Sequence, residues 1–143
     1  MSMKKICVID GQGGGIGAAA IKKIKETFGE SVELIALGTN AIATAQMLKA
    51  KANRGASGEN AIARTVREAD VIIGPVGIVM AHALMGEVTP AIAEAIAGCG
   101  AVKILIPLSQ ENVEIVGISR DPLPHLLDAL INEHLQNFLY KEH

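Results

Sequence analysis

The chain is 143 residues long, carries a formal net charge of −2 and has only two Phe, one Tyr and no Trp. That length suits one domain, which buries about 70% of its unfolded surface without disulfide or metal staples. Its 13 basic residues are scattered, which excludes the electrostatic footprint of a nucleic-acid binder, and the scarcity of aromatics excludes a base-stacking surface.

Taken in order, the chain alternates strand-like and helix-like stretches. The apolar run from Lys4 to Ile9 predicts a first strand. Ile16, Ala20, Ile24 and Phe28 recur every four residues and predict a helix, closed by Gly29 as C-cap. Val32 to Leu37 predicts a second strand, and Thr39 or Asn40 caps a second helix that reaches about Lys51. Residues 53–58 read as a loop, with Ser57 placed to cap a third helix from Glu59 to Glu68. Asp70 to Gly74 predicts a third strand. Val76 to Met85 reads as a helix that is apolar on nearly every side. Thr89-Pro90 opens a helix that runs to about Cys99. Val102 to Ile106 and Val113 to Ile118 read as two further strands. A parallel crossover needs a dozen or more residues, so the short gap predicts that the last strand is antiparallel. A helix opening at Asp121-Pro122 ends the chain, with Leu123, Leu126, Leu127, Leu130, Ile131, Leu135, Phe138 and Leu139 on one stripe.

This alternation predicts one α/β domain over residues 1–143, a Rossmann-like three-layer sandwich with about five strands, mostly parallel. Cys7 and Cys99 lie far apart in apolar surroundings, as buried reduced thiols of a cytoplasmic protein do. The longest apolar stretch, Val71 to Met85, is broken by Gly74-Pro75 and is too short to span a bilayer, so no membrane partner is expected. The apolar helix at Val76 to Met85 and the broad final stripe predict a homodimer or higher homo-oligomer.

Asp10-Gly11-Gln12-Gly13-Gly14-Gly15-Ile16-Gly17 joins the first strand to the first helix. Glycine there serves either a tight turn or close approach of the backbone to an anion at the helix N-terminus. In open sheets ligands bind outside the carboxyl ends of the strands. The candidate ligand contacts are therefore Asp10, Gly11, Gly13, Gly14, Gly15, Ile16 and Gly17, then Thr39 and Asn40, Arg54 and Ser57, and Gly74 and Pro75. Arg54 is the expected countercharge, and His82 is a candidate for a catalytic acid or base. No pair of histidines shows ligand spacing with a Cys or carboxylate, so no metal site is expected. Glu87 is a loop carboxylate with no partner evident in sequence.

The spacing of Gly11, Gly15 and Gly17 resembles the cofactor loop of short-chain dehydrogenases, and Gly13, Gly15 and Ala18 match the older G-x-G-x-x-A fingerprint. The resemblance covers about the first forty residues and implies NAD(P) or another nucleotide as ligand. The end of the second strand, Leu37-Gly38-Thr39-Asn40, lacks the acid that grips a ribose and the base that grips a 2′-phosphate. That family's Tyr-x-x-x-Lys pair is also missing, so dehydrogenase activity is not expected.

Over its full length the chain is similar to a small bacterial family, a domain of unknown function. The similarity rests on residues 8–17, Gly58-Glu59-Asn60-Ala61, Ile73-Gly74-Pro75, residues 86–90 and Leu105-Ile106-Pro107. It implies a Rossmann-like fold and assigns no catalytic residue. The leading expectation is a protein that binds a nucleotide or dinucleotide at the glycine-rich loop. The alternatives are an enzyme acting on a small phosphorylated or carboxylated metabolite, and a structural or regulatory subunit with a decayed site.

Overall fold

The computed structural model describes residues 3–108, 112–118 and 120–140. Strand β1 spans Lys4–Asp10 and is followed by helix α1, Gly15–Phe28. Then come β2, Val32–Gly38, and α2, Ala41–Lys49. Next are β3, Arg54–Ser57, and α3, Glu59–Thr65, which ends in a 3₁₀ turn. Strand β4 spans Val71–Pro75, α4 Pro90–Gly98 and β5 Val102–Ile106. Helix α5, Leu123–Ala129, continues through a π-helical segment, Leu130–Leu135, into α6, Gln136–Tyr140.

The five strands form one sheet in the order β3-β2-β1-β4-β5, and every neighbouring pair is parallel. Side chains of a strand alternate between the two faces, and the apolar runs of β1, β2 and β4 fill both. Ile6, Val8, Leu34, Ala36, Val71 and Ile73 meet α1, α2 and the C-terminal helix through Ile21, Ile24, Met47 and Leu130. Cys7, Ile9, Ile35, Leu37 and Ile72 meet α3 and α4 through Ile62, Ile92 and Ile96. The stripe predicted for the last helix is therefore used against its own sheet: Leu127, Leu130, Ile131 and Leu135 are buried.

Three expectations need correction. The antiparallel last strand is absent. Residues 113–118 are a single bridge residue, Val113, followed by irregular chain and a turn, and their apolar side chains are exposed. The fifth strand is instead β3, which the sequence presents as a loop because Arg-Gly-Ala-Ser has no apolar pattern. All four of its residues are exposed, and pairing with β2 from Ile35↔Arg54 to Gly38↔Ser57 makes it a strand. The expected helix from Val76 to Met85 is a single 3₁₀ turn, Val76–Val79, followed by tight turns. His82, Leu84, Met85 and Gly86 have positive φ, which a right-handed helix cannot contain.

The caps mostly follow the sequence. Asn40 accepts the Ala43 N–H at 2.8 Å, and Thr89 accepts the Ile92 N–H at 3.1 Å with Pro90 at the first helical position. Ser57 does not cap α3. Gly58 holds that position with φ 99°, and the Ser57 hydroxyl lies 2.7 Å from that of Thr44. Among the described residues no helix is long and apolar enough to cross a membrane.

Candidate functional site

From β1 the chain moves outward to β2 and β3, then returns to β4 on the other side of β1. The strand order reverses between β1 and β4, and the carboxyl ends of these strands are where such sheets bind ligands. Asp10 ends β1 there and is only 4% exposed. Its Oδ1 accepts the Gly11 N–H at 2.8 Å and its Oδ2 the Gly17 N–H at 2.7 Å. Burial raises its pKa above the ordinary value, opposed by the N–H groups of Gly17, Gly11 and Ile16. A carboxylate at the positive end of α1 is favourable, so the chain itself supplies one anion to its glycine-rich turn.

Glu87 supplies a second. Its Oε1 accepts from the Gln12 N–H at 2.8 Å, the Thr39 hydroxyl at 2.7 Å and the Asn40 amide at 2.7 Å. One carboxylate oxygen thus joins the loop after β1, the loop after β2 and the turns after β4. Burial opposes the charge of Glu87, and the hydrogen bonds from Thr39, Gln12 and Asn40 outweigh it, leaving the pKa below the ordinary value. Sequence reasoning missed this residue because its partners lie 75, 48 and 47 positions away. The available signal was three donors on two adjacent carboxyl-edge loops with no acceptor named for them.

The five glycines of the turn divide into two groups. A Cβ on Gly11 would meet Thr39 Oγ1 at 2.5 Å and Glu87 Oε1 at 3.0 Å. One on Gly14, which caps α1 with φ 75°, would meet the Ala43 backbone at 2.8 Å. One on Gly17 would meet Met47 Sδ at 2.6 Å. These three are glycine because the protein's own atoms occupy the space. Gly13 and Gly15 differ: both are exposed and nothing lies within 4 Å of their Cβ positions. Their N–H groups have no acceptor among the described residues.

The other candidates are dispersed. Arg54 begins β3 level with Ile35, three residues short of the carboxyl edge, and its Nε donates to Glu33 Oε1 at 2.9 Å. It is not brought to the glycine loop. Gly74 and Pro75 end β4 and are buried, and a Cβ on Gly74 would run into the Ile9 carbonyl. His82 is exposed on the turns after β4 rather than buried in a helix, with its backbone N–H on the Val88 carbonyl at 2.6 Å. Tyr140 lies 6.3 Å from the Phe28 ring, at the far end of α1 from the glycine turn. Cys7 is buried, but Cys99 is only half-buried. Among the described residues no group of three or more His, Cys, Asp or Glu is placed to hold a metal ion.

A cavity of about 780 Å³ opens beside this region at the carboxyl ends of β4 and β5, lined by Val76, Pro107, Leu108, Val116 and Arg120 among others. No glycine-loop residue lines it. It begins one residue beyond Pro75, on the β4 side of the strand-order reversal.

A parallel sheet in this order, covered on both faces, with a glycine turn from β1 into α1, makes this a Rossmann-like α/β domain. The chain belongs to the family described as Domain of unknown function (DUF3842), whose model matches residues 5–139. No curated protein matches the sequence. Among solved structures it is similar to a universal stress protein in complex with cAMP, at 16% identity and TM-score 0.43, covering 73% of this chain and 98% of that one. It is also similar to a dodecameric FMN-dependent UbiX-like decarboxylase from Escherichia coli O157:H7, at 18% identity and TM-score 0.46, covering 90% of this chain and 75% of that one.

Proposed function

We propose that the domain binds a nucleotide or dinucleotide at the carboxyl ends of β1 and β4, with a phosphate over Gly13 and Gly15. One observation carries this reading. The start of the 14-residue helix α1 offers two N–H groups without acceptors among the described residues, that of Gly15 in its first turn and that of Gly13 just before its cap, both on exposed loop glycines above which the chain leaves open space. N–H groups at a helix N-terminus hold anions well, and a missing side chain lets a phosphate approach. Asp10 and Glu87 are already compensated by donors of their own, which limits their repulsion of an incoming phosphate. The cavity beyond Pro75 has room for a second moiety.

The test is a thermal-shift panel of AMP, ADP, ATP, NAD, NADP and FMN, with mass spectrometry of whatever co-purifies. A ligand at one hundred times its Kd stabilises the folded state by about 2.7 kcal/mol. No shift across the panel and no co-purifying nucleotide would remove the proposal.

A further inference from the structure

Strand β2 ends in Gly38, and Thr39-Asn40 follows, so the strand carries no acid of its own at its tip. In dinucleotide folds an acid at that tip accepts hydrogen bonds from ribose hydroxyls. The tip is nevertheless not without a carboxylate. Glu87 reaches it from the turns after β4 and is held against the Thr39 hydroxyl and the Asn40 amide at 2.7 Å each. Its Oε1 also lies 3.0 Å from the position of a Cβ on Gly11, which puts the group over the end of β1 as well.

The binding pattern is lopsided. Thr39, Asn40 and Gln12 all donate to Oε1, and Oε2 has no partner among the described residues. A carboxylate fixed through one oxygen keeps the other as an oriented acceptor, and fixing it in advance lowers the entropic cost of binding. The hydrogen bonds also keep Glu87 ionised at neutral pH, so it accepts and does not donate.

We infer that Glu87 supplies in space the ribose-binding acid that β2 lacks in sequence, and that the site takes nucleotides with a free 2′-hydroxyl over 2′-deoxy or 2′-phosphorylated ones. A hydroxyl at that point donates to Oε2. A hydrogen atom leaves the carboxylate unused, and a phosphate meets its charge. This rests on the nucleotide-binding reading above and adds to it the identity of the recognising group and the class of sugar recognised.

The experiment measures affinities of ADP, 2′-deoxy-ADP, NAD and NADP for the wild-type protein and for Glu87→Gln, which keeps the shape and removes the charge. In the wild type, ADP should bind about 10- to 100-fold tighter than 2′-deoxy-ADP, and NAD should exceed NADP similarly. In Glu87→Gln both ratios should fall towards one. If Glu87→Gln does not fold, Glu87→Asp carries the same comparison, because a shortened carboxylate also loses the ratio. Equal binding of ADP and 2′-deoxy-ADP to the wild type would overturn the ribose role and leave nucleotide binding standing, as would a ratio that survives in the folded variant. Binding of none of the four would overturn both.

Discussion

The Asn40 side-chain amide donates to Glu87 Oε1 at 2.7 Å and to the Gln12 carbonyl at 3.1 Å, while its own oxygen caps α2. This one pairing of Asn40 with Glu87 locks together loops from three parts of the chain. The glycine-rich turn is therefore shaped by a residue far along the sequence. Gly11 has no side chain because Thr39 and Glu87 fill the space.

Replacing Glu87 by Ala should cost about 1–2 kcal/mol in urea denaturation, because three donors lose a charged acceptor at a partly exposed site. A variant as stable as the wild type would mean that water replaces the carboxylate without loss.

The acid side of the stability profile follows from two opposite shifts. The folded pKa of Glu87 lies below its ordinary 4.5, so the unfolded chain binds more protons and its stabilisation is lost as pH falls below that value. The folded pKa of Asp10 lies above its ordinary 3.8, so the folded chain binds the proton first and stability rises as pH falls through that folded value. Wild type and Glu87→Gln should therefore differ most above pH 4.5 and converge below it, as urea midpoints from pH 3 to 7 would record. A constant difference across that range would show that the charge of Glu87 is not what the three donors hold.

Gly15→Val should fold, with stability within about 1 kcal/mol of the wild type, because a Cβ there has no atom within 4 Å and helix propensity favours valine over glycine. It should abolish binding of whichever nucleotide shifts the wild-type melting temperature. Gly11→Ala should cost about 1–3 kcal/mol, since its methyl collides with Thr39. Unchanged nucleotide affinity in folded Gly15→Val would remove the phosphate from this turn.

Thiol labelling should separate the two cysteines. Burial pushes the Cys7 thiol up to about 12, and its side chain is inaccessible in β1. Native protein should expose one rapidly reacting thiol, Cys99, and denatured protein two. Fast labelling of Cys7 would mean that β1 opens readily.

We predict a homodimer or higher homo-oligomer built on the face that carries Val102, Val113, Ile115, Val116 and Ile118, all exposed, with Val116 at 98%. Val116→Asp should weaken association about tenfold or more by sedimentation, since burial of a valine contributes at least that much. A wild-type monomer at tens of micromolar would mean that this face stays in water.

Sequence alone determined the elements whose signals are local. The apolar runs of β1, β2, β4 and β5 and the four-residue spacing in α1 reappear nearly residue for residue, as do the caps Gly29, Asn40 and Thr89. Each depends on burial or on a hydrogen bond within a few positions. Strand β3 and the site depend on partners elsewhere. Arg-Gly-Ala-Ser becomes a strand only because the edge of β2 is open to it. The apolar pattern of Val113 to Ile118 looks like a strand, yet the segment forms no strand, although β5 lies at an edge of the sheet. Glu87 acquires its role only when the β4 turns fold over the ends of β1 and β2. A short-range pattern cannot encode that, because an isolated carboxylate carries no mark of the distant donors it will meet.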